Sequence, residues 1–251
     1  MTTGKQVFST ITSAGELELA IADVEIPSPG PDDVVVRIEA APINPSDMGP
    51  LFGPASIAEA KLQDAKLIAP VPENRLGMVA SRLDQTLPVG NECAGTVIST
   101  GESDAAKALD GKLVSIMPGA SFAQYACVPA ATCLLHNDKT TPQRAASSFV
   151  NPLTALCFLE TMRMENHTGL VHTAAASNLG QMLVRLCAAE NVPLINIVRS
   201  KEQTATLTAL GAKYICNSAD ANFMDKLTEA LIETGITPVS YTHLTLPTNG
   251  C

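Results

Sequence analysis

A run of small residues between a predicted strand and a predicted helix is suited to hold a phosphate group. It reads Ala174-Ala175-Ala176-Ser177-Asn178-Leu179-Gly180 and, aligned with G-x-G-x-x-G, places Ala175, Ser177 and Gly180 at the three glycine positions. Small residues there allow a tight turn, close approach of a pyrophosphate and close packing of helix on strand. The free N–H groups and dipole of the following helix favour phosphate. We predict a dinucleotide site at residues 174–180; the alternative is an α/β turn that binds nothing.

Two cations follow the next predicted strand, where the adenosine ribose of a dinucleotide is recognised. The strand ends in Val198-Arg199-Ser200-Lys201, with no carboxylate at its tip. Arg199 can bind a 2′-phosphate through two N–H groups, and Lys201 adds a point charge. These residues favour NADPH, with NADH possible. The alternative is that both are solvated surface cations.

The elements that position these residues alternate between strands and helices after Asn151. Apolar spacing predicts strands at 169–173, 194–198 and 214–216. It also predicts three helices: one that begins near Leu179, one over 201–210 and one over 222–233. Such alternation is typical of βαβ units on a parallel sheet. We therefore expect three of the six strands of a doubly wound domain.

Residues up to about 150 instead show short strands and Pro/Gly turns, which are typical of a small all-β unit. The predicted strands cover 17–21, 34–40, 95–99, 112–116 and 122–128. Apolar residues at even positions from Val34 to Ala40 predict a half-buried strand. Between Pro54 and Pro88 we predict an excursion or lid, with a short surface helix over 57–67.

Composition excludes several classes of protein. The 251 residues are 46% apolar and 16% charged, with a net charge of −9, which argues against disorder and against binding to nucleic acid or anionic membranes. Apolar runs fall short of the ~20 residues that span a bilayer. Seven cysteines without a CxxC pair fit neither a disulfide framework nor a zinc ribbon. We expect a cytoplasmic protein.

Four ordered motifs resemble the medium-chain dehydrogenase/reductase superfamily, in its zinc-independent quinone reductase and enoyl thioester reductase branch. They are A-x-x-x-N-P-x-D at 40–47, P-x-G-x-E-x-x-G at 88–95, the crossover Asn151-Pro152-Leu153-Thr154-Ala155, and the loop at 173–180. The resemblance covers residues 7–236. It implies a GroES-like catalytic domain at 1–150 and a partial Rossmann NAD(P)-binding domain at 151–236.

The resemblance also assigns roles at the cofactor. Asn44 and Thr154 would face the nicotinamide end, the 174–180 loop the pyrophosphate, and Arg199 the adenosine ribose or its phosphate. Alternatively, Asn44 is a turn residue and Thr154 a helix-start residue. The branch that binds catalytic zinc has Cys and His where this chain has Asn44 and Asn91, and amides are poor zinc ligands, so we predict no metal.

Without a metal, the resemblance implies direct hydride transfer from NAD(P)H to a quinone or an α,β-unsaturated carbonyl. Enoyl reductases have a tyrosine shortly after the N-P-S-D segment, where this chain has Phe52, so no catalytic acid is assigned. The alternatives are a nucleotide-binding protein without catalysis and a non-functional fragment. The expected partner is a small-molecule acceptor, and the full-length parent is expected to be a homodimer.

The last residues depart from the resemblance. A fourth strand is expected after residue 236. Instead, residues 237–239 read Thr-Pro-Val and residues 240–251 read Ser-Tyr-Thr-His-Leu-Thr-Leu-Pro-Thr-Asn-Gly-Cys. This stretch resembles a translated sequencing adapter. We therefore predict that residues 237–251 are a foreign tail on a C-terminally truncated chain, the alternative being a divergent but genuine tail.

Overall fold

This computed structural model describes residues 3–236 of the chain. They divide into two compact units, one ending at Val150 and one beginning at Asn151. Each unit has its own sheet structure and its own apolar core. The roles predicted for 1–150 and 151–236 as catalytic and cofactor-binding domains stay predictions, and the predicted foreign tail, 237–251, lies outside the described residues.

The first unit is built mainly from short strands. In chain order they are β1 (Thr3–Ile11), β2 (Glu16–Glu25), β3 (Asp33–Ala40), β4 (Lys61–Gln63), β5 (Lys66–Pro70), β6 (Thr86–Pro88), β7 (Cys93–Thr100), β8 (Leu113–Ile116), β9 (Tyr125–Pro129) and β10 (Leu134–Leu135). Three short helices accompany them, α1 (Met48–Phe52), α2 (Asp104–Lys107) and α3 (Pro142–Ala145).

These strands form two antiparallel sheets, in the orders β4-β5-β2-β1-β6 and β10-β8-β7-β3-β9. The first sheet packs around Ile11 and Leu17, which are fully buried, and the second around Val34, Val36 and Val97. Short apolar stretches separated by Pro and Gly turns thus produce the predicted all-β unit.

Two local predictions for this unit need correction, and one strand was missed. Val35 is 2% exposed although the alternation placed it towards solvent, so the face that carries the exposed Arg37 and Glu39 is covered at this end of β3. The last predicted strand begins at Tyr125 rather than at residue 122, because the amide of Phe122 donates to the carbonyl of Val89 instead. The long strand β1, which the sequence analysis did not predict, carries few buried residues to mark it.

The predicted helix over 57–67 is wrong. A single 3₁₀ turn, Ile57–Glu59, is followed by the hairpin of β4 and β5, which turns through Asp64 and Ala65 at φ +49° and +60°. β5 also pairs with β2, and this long-range pairing outweighs the local helix propensity. The excursion after Pro54 therefore extends the edge of the first sheet before it continues as a 3₁₀ segment, Glu73–Arg82.

The second unit alternates helices and strands as predicted. Its elements are α4 (Val150–Met164), whose first residue closes the first unit, β11 (Leu170–His172), α5 (Asn178–Ala189), β12 (Leu194–Val198), α6 (Lys201–Ala209), β13 (Tyr214–Asn217) and α7 (Phe223–Thr234). The three strands are parallel, in the order β11-β12-β13. The sheet is covered on both faces, since Leu194 and Val198 pack in the core with α4 and α5, and Ile195 packs with α7.

Candidate functional site

The loop between β11 and α5 is a tight, capped turn. The amide of Ser177 donates to the carbonyl of Ala174 at 3.0 Å, and the Ser177 hydroxyl accepts from the amide of Gly180 at 3.1 Å. Ser177 is thus the N-cap of α5, as its residue type favours. The amides of Asn178 and Leu179 lie in the first turn, ahead of the first intrahelical bonds, where helix N–H groups can bind an anion.

Gly180 allows α5 to begin against the end of the strand. A Cβ at this position would lie 2.2 Å from the carbonyl oxygen of Ala175 and 2.7 Å from its Cα. Ala175 is itself 1% exposed, so its backbone cannot move aside into solvent. Only glycine fits here, which is the packing role of the third glycine in a pyrophosphate-binding turn. The chain at 174–180 therefore fits a dinucleotide, although its binding role stays a prediction.

Arg199 and Lys201 lie at the carboxyl end of β12, the strand next to β11. Both residues are exposed, and neither forms an ion pair within residues 3–236. The amide of Arg199 donates to Oε1 of Gln203 at 2.8 Å, and Ser200 caps α6. Because β11 and β12 are parallel, the predicted phosphate loop and these two cations share one edge of the sheet.

Asn44, predicted to face the nicotinamide, belongs to a buried polar network of the first unit. It is 5% exposed and precedes the 3₁₀ turn Pro45–Asp47. Its Nδ2 donates to Oε1 of Glu92 at 2.9 Å, and its backbone amide donates to Oδ2 of Asp47 at 2.7 Å. The N-P-S-D segment is therefore tied to the strand start at residues 88–95.

Two buried carboxylates organise this network. Asp47 is 1% exposed, and its Oδ1 accepts from the amide of Asn91 at 3.0 Å, while Nδ2 of Asn91 donates to the Ser46 hydroxyl at 3.0 Å. Glu92 is fully buried, and its Oε2 accepts from the amides of Phe149 and Val150 at 2.8 and 3.1 Å. Hydrogen bonds to charged acceptors offset the cost of burying them. Glu92 thus joins the segment of Asn44 to the residues where α4 begins.

In the sequence analysis Asp47 and Glu92 are only the acidic positions of the motifs at 40–47 and 88–95, and neither is given a role. Their acidic type, inside two motifs of otherwise small or apolar residues, was the available signal. Thr154, the other residue predicted at the nicotinamide, lies in α4 four residues after its start, so it is not a helix-start residue.

The donor set of the network does not suit a metal ion. Asn44 and Asn91 supply neutral amides where zinc would need thiolate or imidazole. Cys93 is fully buried, and burial, with the nearby Glu92 charge, raises the pKa of its thiol to about 12, so it stays protonated. Within the described residues no three His, Cys, Asp or Glu side chains lie together as possible ligands.

A Ser–His pair in the first unit is structural. Oγ of Ser115 lies 2.6 Å from Nε2 of His136, which resembles a nucleophile and its base. Ser115 is fully buried, however, and its hydroxyl donates to the carbonyl of Ala145 at 2.6 Å. His136 must then act as the donor to Ser115, so it cannot accept the proton of that hydroxyl. This geometry excludes nucleophilic catalysis by the pair.

Phe52 ends α1 and packs into the apolar cluster of the first sheet with Leu19 and Leu83. It offers no hydroxyl to a reacting group. None of the helices formed by residues 3–236 could span a bilayer.

No known family model matches the chain, but individual proteins do. It is 28% identical over 203 residues to mitochondrial enoyl-[acyl-carrier-protein] reductase of Mus musculus, covering 78% of this chain and 48% of that protein. It is 30% identical over 198 residues to the Arabidopsis thaliana protein of the same name, covering 76% and 46%. A "Probable quinone oxidoreductase" of Schizosaccharomyces pombe is 25% identical over 205 residues, covering 80% and 54%. The chain spans about half the length of these curated relatives.

Solved structures match the fold. A crystal structure from Mesorhizobium loti, assigned as an NADPH:quinone reductase, has a TM-score of 0.64 and 26% identity, covering 93% of this chain and 66% of that one. One from Bacillus thuringiensis has a TM-score of 0.67 and 23% identity, covering 93% and 63%. These likenesses confirm the predicted fold class, a GroES-like β domain followed by part of a Rossmann domain. Fold and relatives agree, and both fit the medium-chain dehydrogenase/reductase superfamily, in the branch of quinone and enoyl reductases.

Proposed function

We propose that this protein is an NAD(P)H-dependent oxidoreductase that reduces a quinone or an α,β-unsaturated carbonyl compound without a metal ion. The observation that carries the proposal is the loop at 174–180, where Ser177 caps α5 and only a glycine at 180 lets the helix begin against Ala175. A dinucleotide needs this combination of free amides and close backbone approach.

The residues divide the binding work along the nucleotide. The amides of Asn178 and Leu179 would bind the pyrophosphate, and Ala174, Ala175, Ser177 and Gly180 shape the turn. Arg199 and Lys201 would bind the 2′-phosphate, which favours NADPH over NADH. Asn44 and Thr154 would hold the nicotinamide, with Glu92 orienting the Asn44 amide through its 2.9 Å hydrogen bond.

The bound nucleotide supplies a hydride, and the protein supplies orientation and water exclusion. Hydrogen-bond donors would stabilise the negative charge that develops on the acceptor oxygen. A metal ion is not expected in this role, because the amides of Asn44 and Asn91 are weak metal ligands. Names of relatives support both acceptor classes: enoyl-[acyl-carrier-protein] reductase and quinone oxidoreductase. Phe52, without a hydroxyl, makes an enoyl thioester the less favoured acceptor.

The test is turnover by the protein expressed from its complete reading frame. Mixed with NADPH and a panel of quinones and enones, it should consume NADPH, seen as loss of nicotinamide absorbance, and EDTA should leave the rate unchanged. NADPH that binds but is not consumed with any acceptor would refute the reductase proposal. The same result would support the second candidate, a nucleotide-binding protein without catalysis, which the absent tyrosine favours.

Location and assembly belong to the same proposal. We keep a cytoplasmic location, supported by six described cysteines that form no disulfide. The alternative is the mitochondrion, which the names of several relatives state. The proposed partner is a small-molecule acceptor, and the proposed assembly is a homodimer; tagged-protein imaging and light scattering test the location and the assembly, respectively.

A further inference from the structure

Arg82 holds the end of the short helix α1 through backbone hydrogen bonds. Its Nη1 donates to the carbonyl oxygens of Gly49 at 3.2 Å and Pro50 at 3.0 Å. Its Nη2 donates to Oγ of Ser9 at 2.9 Å, and that hydroxyl donates to the carbonyl of Leu51 at 2.8 Å. One guanidinium and one fully buried hydroxyl thus satisfy three successive carbonyl groups of α1.

α1 cannot hold this position by itself. It has five residues, among them Gly49 and Pro50, and helices this short are unstable in isolation. The carbonyl of Gly49 accepts from the amide of Gly53, but no backbone amide of the described residues donates to the carbonyls of Pro50 and Leu51, and a cation near a helix C-terminus can satisfy such groups. Leu51 is its one buried side chain. Side-chain packing of Leu51 and Phe52 anchors α1, and the hydrogen bonds of Arg82 and Ser9 fix its backbone at residues 49–51.

The arrangement is costly for Arg82. Its Nε is buried without a hydrogen-bond partner, and within residues 3–236 no carboxylate pairs with the guanidinium. Burial accordingly lowers the pKa of Arg82. Desolvating an unpaired cation destabilises a fold. Because the buried Leu51 and the packed Phe52 already anchor α1, a contact maintained at this cost is better explained by the position it gives to the backbone at Gly49 and Pro50 than by stability.

The position of α1 matters because the chain runs directly from Asn44 through the turn Pro45–Asp47 into this helix. The start of that segment is fixed by Glu92 and Asp47. Its end is fixed by Arg82, which comes from the excursion after Pro54. Residues 44–47 are thus held by buried polar groups, and the carbonyl groups of 49–51 by the half-buried Arg82 and the buried Ser9, although Gly49 and Pro50 themselves are exposed.

We propose that Arg82 is a positioning residue for the acceptor: by fixing α1, it sets the wall of the acceptor pocket beside Asn44. The inference rests on the proposed function. The excursion is then part of the active-site architecture, and it acts through backbone position rather than by contact with the nucleotide.

The test compares Arg82→Met and Arg82→Lys with Arg75→Met in the protein expressed from its complete reading frame. Arg75 is an exposed residue of the same 3₁₀ segment with no side-chain hydrogen bond or ion pair among the described residues, so it controls for loss of a surface cation. Arg82→Met should make amide exchange of residues 48–53 about tenfold faster, because charged hydrogen bonds are lost, and leave β3 and β7 unchanged. The acceptor KM should rise by about the same factor while NADPH affinity stays constant. Arg82→Lys, which keeps a donor, should be intermediate, and Arg75→Met should match the parent.

Unchanged exchange at 48–53, or equally faster exchange throughout the first unit, would overturn the inference. Faster exchange at 48–53 with an unchanged acceptor KM would overturn it as well, because α1 would then not shape the pocket. A parent protein that binds NADPH and reduces no acceptor would refute the proposed function, and so the acceptor role with it, while the exchange data would still decide whether Arg82 holds α1.

Discussion

Replacing Gly180 by alanine tests the predicted phosphate loop at its tightest contact. The added Cβ would lie 2.2 Å from the Ala175 carbonyl oxygen, and relieving this overlap requires a shift of roughly 1 Å or more. Since the obstacle is backbone, α5 itself must move. Overpacking of this kind costs about 1–3 kcal/mol. The better helix propensity of alanine returns about 1 kcal/mol, so the net loss should be about 1 kcal/mol.

Binding should suffer more clearly than stability. The shift moves the amides of Asn178 and Leu179, so the Kd for NADPH should rise roughly tenfold, which corresponds to about 1.4 kcal/mol. Calorimetry measures the Kd, and thermal unfolding measures stability. Gly77→Ala is the control, because a Cβ there meets nothing within 4 Å and the backbone is not left-handed. A Gly180→Ala protein with the Kd and Tm of its parent would show that the close approach does not matter for binding.

Four further outcomes are expected. Arg199→Ala should weaken NADPH binding by about 1.5–3 kcal/mol and leave NADH binding unchanged. Titration with each nucleotide measures this, with Arg185→Ala, at another exposed arginine, as the control. An equal loss of affinity for both nucleotides would contradict the 2′-phosphate role. Glu92→Gln should destabilise the first unit by about 1–3 kcal/mol in denaturant unfolding, because one amide oxygen replaces a carboxylate that accepts from Asn44, Phe149 and Val150. An unchanged free energy of unfolding would mean that the charge is not needed there. Burial lowers the pKa of His172, so as the pH falls the unfolded chain is protonated at this residue at a higher pH than the folded chain. The contribution of His172 to the free energy of unfolding should therefore be fully present above about pH 6.5 and decrease as the pH falls from there towards the folded pKa. His172→Gln should flatten this part of the Tm profile, whereas an unchanged slope would assign it to other groups.

The second unit was largely predictable because its signals are local. The strand 194–198 has the predicted bounds, and the helices near 201–210 and 222–233 begin and end within one residue of prediction. Parallel strands covered on both faces form continuous apolar runs, and helices between them show their own period. The first unit was less predictable, since the hairpin of β4 and β5 exists only through pairing with β2.

The candidate site likewise has one part that the sequence could predict and one part that it could not. The small residues at 174–180 and the cations at 199 and 201 lie within one βαβ unit, so their spacing in sequence is nearly their spacing in space, although their binding roles stay predictions. The network of Asn44, Asp47 and Glu92 joins segments more than forty residues apart, as the hydrogen bond of Asn44 to Glu92 illustrates. No local pattern marks such partners.

The sequence by itself determined the resemblance to a superfamily, the order of the β and α/β units, the position of the predicted phosphate loop and the unsuitability of the amide pair for zinc. Each of these depends on residue type and short spacing. Tertiary structure alone decided that Glu92 holds Asn44, that Ser115 and His136 form a structural pair, and that Arg82 holds the carbonyl groups of α1. Burial and long-range hydrogen bonding assign these roles, and both arise only when distant segments pack together.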